Sequence, residues 1–187
     1  MDVPKVLIVG LGNSTRNDDG AAWEVVCLLE LMRFPGLETR VTQQLGLELM
    51  EEWRGYDQVL LVDAAMDDET VRIERVEEAQ ASSTSSTHHL KPEVLLQLSR
   101  WLYGGTPDLF LCRIPAENFE FGESFSDNTR KFIPEALRQI KAWLIENRYV
   151  SARNSGFESQ EAGAGKTSFR RLFTDSKEKK DKSGPTR

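Results

Sequence analysis

The chain has few of the side chains that most often carry covalent or metal chemistry. Its 187 residues include only two cysteines, Cys27 and Cys112, and two histidines, His88 and His89. Cys27 falls in an apolar helical pattern and Cys112 in an apolar strand pattern, so we expect both thiols to be buried. Nothing in their placement indicates a disulfide framework. Any imidazole chemistry must therefore come from His88 or His89.

Long apolar runs are also missing. The first one, residues 6–9, is too short for a signal peptide and leads directly into a glycine turn. No other run is long enough to span a membrane. We therefore expect a soluble cytoplasmic protein without a membrane partner. The length suits one domain with a sizeable core.

The charge of the chain is unevenly distributed. Residues 1–150 hold 15 Lys/Arg and 25 Asp/Glu, a net charge of −10, whereas residues 151–187 hold 9 and 5, a net charge of +4. The acidic part excludes nucleic acid as an expected partner. After Val150 the composition turns to Ser, Gly, Lys, Glu and Asp, so we predict an α/β domain over 1–150 and a disordered tail over 151–187.

Residues 5–23 indicate how the domain begins. An apolar, β-branched run is followed by Gly10 and Gly12, then by a polar loop that ends in Asp18 and Asp19, and then by a helical pattern. A strand, a glycine turn and a helix in this order are typical of a doubly wound α/β fold. An acidic pair in this loop argues against a phosphate ligand, because helix N-termini attract anions.

The remaining pattern alternates strands and helices, which predicts a mostly parallel sheet. We expect Phe119, Phe121 and Phe125, in the irregular segment before the last helix, to be buried. The predicted elements are a helix over 19–33, a strand over 38–42, a helix over 45–53, strands over 58–62 and 70–76, a helix over 92–103, a strand over 109–114 and a helix over 127–149.

Polar residues with chemical potential follow several of these strands. Asp18 and Asp19 follow the first strand, Asp63 ends the third, and His88 lies in the loop before a later helix. In open α/β sheets such loops meet at the carboxyl ends of the strands, where ligands bind. Two carboxylates and an imidazole suit a divalent metal or acid–base chemistry. Singly, each has a structural interpretation: Asp19 as a helix N-cap, Asp63 as an acceptor for loop amides and His88 as a solvated side chain.

A nucleotide site is the weaker hypothesis. Thr15 stands where a dinucleotide fingerprint requires its third glycine, and Gln43 and Gln44 stand where an acidic ribose ligand is expected. The segment GAGKT at residues 163–167 lacks the first glycine of a P-loop, because Gln160 occupies that position, and no strand precedes it.

Three motifs resemble those of the hydrogenase maturation proteases. They are GLGNSTRNDDG at residues 10–20, VDAA at 62–65 and STHHLKP at 86–92. Their order and spacing match over residues 4–148. The segments QQLGLELM, LYGGTP and IPAENFEFGESFS are most similar to the branch that processes bidirectional hydrogenases.

The resemblance implies a three-layer α/β/α sandwich and an endopeptidase. Such an enzyme removes the C-terminal extension of a nickel–iron hydrogenase large-subunit precursor after nickel insertion. By motif, the catalytic and metal-contacting residues are Asp19, Asp63 and His88, while His89 occupies a variable position. The nickel is presented by the precursor, so no tightly bound cofactor is expected in the free enzyme, which we expect to be a monomer.

Two departures from the family pattern concern the site. Asp19 is one methylene shorter than the glutamate that many members carry, and Gln43-Gln44-Leu45 replaces a common Gly-Gly-Thr. The chemistry has two possible routes, in both of which water attacks: a carboxylate acts as base, or a metal polarises the scissile carbonyl. The alternative function is a non-catalytic assembly factor that recognises the metal-loaded subunit.

The composition break after Val150 leads to the first prediction. Truncation after Val150 should leave the melting temperature nearly unchanged, because the removed segment shows no apolar periodicity. Thermal unfolding followed by circular dichroism, on the truncated and full-length chains, provides the measurement. A large fall would mean that Phe169, Leu172 or Phe173 packs on the domain.

Overall fold

The computed structural model of the chain describes residues 5–77 and 90–147. The predicted tail and both histidines lie outside the described residues. The described elements are β1 (Val6–Leu11), a 3-10 turn (Asn17–Gly20), α1 (Ala21–Met32), β2 (Leu37–Thr42), α2 (Glu48–Trp53), β3 (Gln58–Ala65), β4 (Arg72–Arg75), α3 (Pro92–Tyr103), β5 (Asp108–Pro115) and α4 (Asp127–Glu146).

The strands form one five-stranded sheet in the order β2-β1-β3-β5-β4. β1 pairs in parallel with β2 and β3, and β3 pairs in parallel with β5. β4 pairs antiparallel with β5 at the sheet edge. The sheet is therefore mostly parallel, as predicted. The carboxyl ends of β1, β3 and β5 lie side by side along one end of the sheet, which we call the rim.

The two faces of the sheet carry separate apolar clusters, because successive side chains on a strand point to opposite faces. On β3, Leu60 and Val62 pack with α1 and α4, whereas Val59 and Leu61 pack with α2 and α3. Both faces are covered, which is why β3 is apolar from Val59 to Val62 rather than alternating. The three-layer α/β/α sandwich is thus confirmed.

Several element boundaries differ from the predictions. The first helix begins at Ala21 instead of residue 19, because Asn17–Gly20 forms a tighter 3-10 turn, and α2 begins at Glu48 instead of residue 45. β3 continues to Ala65 because Ala64 and Ala65 still pair with Ile114 and Pro115 of β5.

Three predictions of burial were wrong. The helical spacing predicts that Leu102 lies on the apolar face of the helix over 92–103, but Leu102 is exposed, because the buried residues of α3 are Leu95, Leu96 and Ser99. Phe121 is 86% exposed and lies at a loop tip, where the Arg16 guanidinium stacks 5.7 Å from its ring centre. Cys27 is half-buried, whereas Cys112 is buried as predicted.

The ends of α3 show how the chain returns to the sheet. Pro92 begins the helix, and Gly104, with a φ of 72°, ends it in the left-handed conformation that glycine favours. β5 starts at Asp108, so the C-terminal end of α3 lies near the amino ends of the parallel strands. Among the described residues, no helix is long and apolar enough to cross a membrane.

Candidate functional site

The glycine turn after β1 places the acidic turn at the rim. Gly12 has a φ of 119°, and a Cβ there would overlap the backbone carbonyl oxygen of Asp19. The backbone N–H of Asn13 donates a hydrogen bond of 2.8 Å to the Asp19 carboxylate. The backbone N–H of Gly12 donates to Thr42 at the end of β2. The turn therefore holds Asp19 in place and brings the segment that begins with Gln43 next to it.

Asp18 and Asp19 have different roles, although they are adjacent. The Asp18 side chain is completely buried and accepts hydrogen bonds from the backbone N–H groups of Ser126 (2.7 Å), Asn118 (3.0 Å) and Glu117 (3.1 Å). Burial opposes its ionisation, but the N–H donors outweigh burial and lower the pKa of Asp18. Asp18 is therefore a structural acceptor and, consistent with the predicted trio of Asp19, Asp63 and His88, is not a candidate site residue.

Asn17 joins Asp18 in holding the same segment, residues 116–126, which we call the rim loop. Its backbone N–H donates to Gly122, its side-chain oxygen accepts from the N–H of Ser124, and its side-chain nitrogen donates to Glu120. A Cβ at Gly122 would overlap the Asn17 side chain. Periodicity did not predict this role, because the bonds join residues about a hundred positions apart; only the polar character of both segments indicated it.

Asp19 is not an N-cap. The N-cap of α1 is Gly20, and no side-chain hydrogen bond caps this helix. The Asp19 side chain is instead half-buried, and burial raises its pKa despite the Asn13 N–H and the charge of Arg16. This carboxylate is thus retained in an environment that disfavours its charge, as expected of a functional group rather than a stabilising one.

Asp63 lies near the carboxyl end of β3 and interacts electrostatically with Asp19. Burial raises the pKa of Asp63 to about 6; the Ala64 N–H and Arg113 lower it, and repulsion from Asp19 raises it further. The structure therefore brings the two predicted carboxylates, Asp19 and Asp63, close enough to interact at the rim. A titratable pair that repels in a partly desolvated place is a common feature of catalytic sites.

The third predicted residue, His88, lies outside the described residues, as does His89. The expectation that the strand before His88 ends at the rim was wrong, because β4 runs antiparallel to β5 and ends where the parallel strands begin. α3 follows, and its 12 residues extend about 18 Å along the sheet. Since α3 ends near the amino ends of the parallel strands, its first residue lies toward the rim. Leu90, just before α3, packs on the apolar cluster between the sheet and helices α2 and α3. The assignment of His88 stays a prediction.

A groove of about 580 Å³ opens between the residue that follows β3 and the rim loop. Met66, just beyond β3, and Arg16, just before the 3-10 turn, line it on one side, and the rim-loop residues Glu117, Asn118, Phe119 and Glu120 line the other. The Arg16 side chain donates to the carbonyl oxygen of Phe119 (2.9 Å). The groove is therefore held open by the contacts that Asn17 and Asp18 also make.

The chemistry available at the site follows from these groups. Burial raises the pKa of Cys112 to about 12 and, together with Glu24 and Glu30, that of Cys27 to about 11, so neither thiol is activated as a nucleophile. Over residues 5–77 and 90–147, no group of three or more His, Cys, Asp or Glu side chains could hold a metal ion. Asp19 and Asp63 supply two carboxylate groups, and these fit a metal only with further ligands.

Comparison with known proteins shows what the chain is similar to. No family model matches it. It is 28% identical, over 165 residues, to the hydrogenase expression/formation protein HoxM of Azotobacter vinelandii, covering 83% of this chain and 80% of the relative. The solved structure of the hydrogenase maturating endopeptidase HybD from Escherichia coli matches with a TM-score of 0.63 and 25% identity, over 76% of this chain and 93% of HybD.

Two further solved structures agree with these matches. An Escherichia coli endopeptidase solved in solution matches with a TM-score of 0.64 and 26% identity, over 76% of this chain and 93% of the endopeptidase. The maturation protease HycI from Thermococcus kodakarensis matches in fold with a TM-score of 0.59 and 20% identity, over 78% of this chain and 92% of HycI. The resemblance to hydrogenase maturation proteases in sequence and in fold is thus confirmed.

The different roles of the two adjacent carboxylates predict different effects of the same substitution. Asp18→Asn should lower the free energy of unfolding by about 2 kcal/mol or more, because charge-assisted bonds to three backbone N–H groups are weakened. Asp19→Asn should change it by less than about 1 kcal/mol, because burial already disfavours the charge of Asp19. Urea denaturation measures both. Equal losses would contradict the division of roles.

The raised pKa of Asp63 predicts a pH-dependent stability difference. The Asp63 carboxyl binds its proton more tightly in the folded protein than in the unfolded chain. The protein therefore loses stability as the pH rises from the unfolded-state pKa, near 4, to the folded-state pKa of about 6. Asp63→Asn removes this loss, so the melting temperature of the variant relative to wild type should increase over pH 4–6 and then level off. Asp67→Asn, at an exposed position, is the control and should show a constant difference. A difference that is also constant for Asp63→Asn would contradict the assignment.

Proposed function

We propose that this chain, which is similar in sequence and fold to hydrogenase maturation proteases, is an endopeptidase that processes the large-subunit precursor of a nickel–iron hydrogenase. It removes the C-terminal extension of the precursor after nickel insertion. The observation that carries the proposal is the pair Asp19 and Asp63, whose carboxylates lie close enough at the rim of this fold to interact electrostatically. We further propose that it acts in the cytoplasm as a monomer; the choice of the bidirectional-hydrogenase branch remains a prediction.

The carboxylate pair is suited to activating water. A group with a pKa of about 6, such as Asp63, is mostly ionised at neutral pH and still exchanges protons readily, as a general base must. Asp19 is held in place by the Asn13 N–H, and its negative charge acts in the same direction as burial in raising the pKa of Asp63. Water attacks the scissile carbonyl, with a carboxylate as base or with the nickel of the precursor polarising the carbonyl.

The nickel belongs to the substrate in this proposal. Asp19, Asp63 and His88 contact it, and three ligands of this kind leave coordination positions open for the ligands of the precursor. A precursor without nickel presents no such contact, so it docks poorly and is not cut. The trio therefore tests for nickel before cleavage.

The groove between Met66 and the rim loop is the place for the polypeptide on one side of the scissile bond. Two of its lining residues lie close in sequence to the carboxylates: Met66 is three residues beyond Asp63, and Arg16 is three residues before Asp19. An extended segment lying there would bring its peptide bond to the rim. The Gln43–Gln44 segment next to Gly12 lies on the other side and is the expected place for differences in substrate preference.

We expect substitution of either of two trio members, Asp63 and His88, to abolish processing of the precursor without unfolding the protein. Asp63→Asn and His88→Ala should each lower the cleavage rate at least about 100-fold, the usual contribution of a general base or of a lost metal contact. The matched controls are Asp67→Asn and His89→Ala, which should retain activity. Cleavage is followed as a mobility shift of the precursor, and folding as the melting temperature. Full activity in both site variants, or unfolding of either, would show that the residue is structural.

Nickel gating has its own test with a single batch of enzyme. The nickel-loaded precursor should be cut and the metal-free precursor should not. Equal rates on both would refute the gating step. Co-elution with the loaded precursor without cleavage would favour the non-catalytic assembly factor, and stoichiometric metal in the free enzyme that is lost with activity on chelation would indicate an ordinary metalloprotease.

A further inference from the structure

A positive charge lies next to the carboxylate that the proposed site uses most. Arg113 of β5 is the register partner of Asp63 on β3, and the two strands run parallel. Register partners in adjacent strands point to the same face, which here is the face of Leu61 and Leu111. The guanidinium and the carboxylate are therefore neighbours, and Arg113 attracts the Asp63 carboxylate electrostatically.

The Arg113 side chain is held in this place from the other side. Its guanidinium lies 3.8 Å from the carboxylate of Asp68, whose side chain is only 4% exposed. Asp68 also forms an ion pair with Arg72, so it is fixed by a second cation. Arg113 is thus shared between Asp68 and Asp63 and does not swing freely into solvent, although its own side chain is 39% exposed.

Asp19 has a similar neighbour. Arg16 attracts the Asp19 carboxylate, and its position is fixed by its bond to Phe119 and its stacking on Phe121. Each of the two described carboxylates at the rim is therefore accompanied by one arginine. The four side chains carry no net charge when both carboxylates are ionised.

A neutral set of this kind is a poor trap for a free divalent cation. The cation gains attraction from two carboxylates but meets repulsion from the two guanidinium groups that interact with them. A metal that arrives with anionic ligands of its own meets no such repulsion, since its charge is already balanced. The arginines therefore discriminate between a free ion and an ion that a protein substrate carries.

We propose that Arg113 lowers the affinity of the free protein for divalent cations, so that metal is bound at Asp63 only together with ligands of the substrate. This inference rests on the proposed function in one respect, the contact of Asp63 with the metal of the precursor. It adds a specificity-determining residue, which keeps the site from being filled by free nickel or zinc.

Titration of the purified full-length protein with Zn²⁺ and with Ni²⁺ by calorimetry tests the inference. Arg113→Gln should bind about tenfold more tightly than wild type, because a unit charge one strand away is removed from a divalent ion in a partly exposed site. Arg113→Lys should stay close to wild type, since it keeps the charge. Arg75→Gln is the matched control, because Arg75 pairs with Asp108 at the other end of β5.

Two additional variants link the effect to the site. The gain in Arg113→Gln should disappear when Asp63→Asn is added. Arg16→Gln should show a separate gain, which tests the same principle if the Arg113 variant does not fold. Affinity in Arg113→Gln that is no tighter than wild type, an equal gain in Arg113→Lys, or a gain that survives Asp63→Asn would overturn the inference.

The result is distinguishable from failure of the proposed function. Metal affinity is measured without precursor, whereas the function is measured as cleavage of the loaded precursor by wild-type protein. Normal cleavage with unchanged affinity in Arg113→Gln would reject only the role of Arg113. A tenfold gain with no cleavage by wild type would reject the protease and leave the electrostatic role intact.

Discussion

The rim depends on the hydrogen bonds that the buried Asp18 carboxylate accepts from the rim loop. An ionised carboxylate removed from water is costly unless donors surround it, and three backbone N–H groups of the rim loop provide those donors. The loop has no regular secondary structure of its own over most of its length. Its conformation, and with it one wall of the groove, is therefore set by Asp18 together with Asn17 and Arg16, from the N-terminal part of the domain.

Two adjacent carboxylates lie in opposite electrostatic environments. Hydrogen bonds satisfy the charge of Asp18, which contributes to the fold, whereas burial disfavours the charge of Asp19, which interacts electrostatically with Asp63. The pair thus shows the two opposite outcomes of placing a carboxylate in the same partly dry region. Which outcome applies depends on how many N–H groups point at the oxygen atoms, not on the residue type.

Much of the fold was predictable because it depends on local patterns. The apolar run of β3, the proline at the start of α3 and the glycine at its end carry their signals within a few residues. The direction of β4 was not predictable in this way, since four residues that alternate give no indication of parallel or antiparallel pairing. The prediction that Phe121 is buried was wrong for a related reason. An aromatic side chain favours a core, but the Arg16 guanidinium provides a partner for this ring at the surface.

The candidate site was predictable in part for the same physical reason. Asp19 follows β1 and Asp63 lies near the carboxyl end of β3, and the topology of parallel sheets brings these ends together. The roles of Asn17, Asp18 and Arg113 depend on hydrogen bonds and register between distant segments, which a periodic pattern does not contain. The motif resemblance supplied the trio, but not the arginines that accompany its carboxylates.

The long reach of the Asp18 bonds has a consequence for how the chain acquires its structure. The carboxylate and the Ser126 N–H are separated by 108 positions, so the contact closes almost the whole domain into one loop. Contacts of such separation form late, because the entropy of loop closure must be overcome first. During synthesis, β1 and the acidic turn emerge long before the rim loop exists. The nascent chain therefore carries its carboxylates without the groove, and the rim is assembled only when the last helix is about to form.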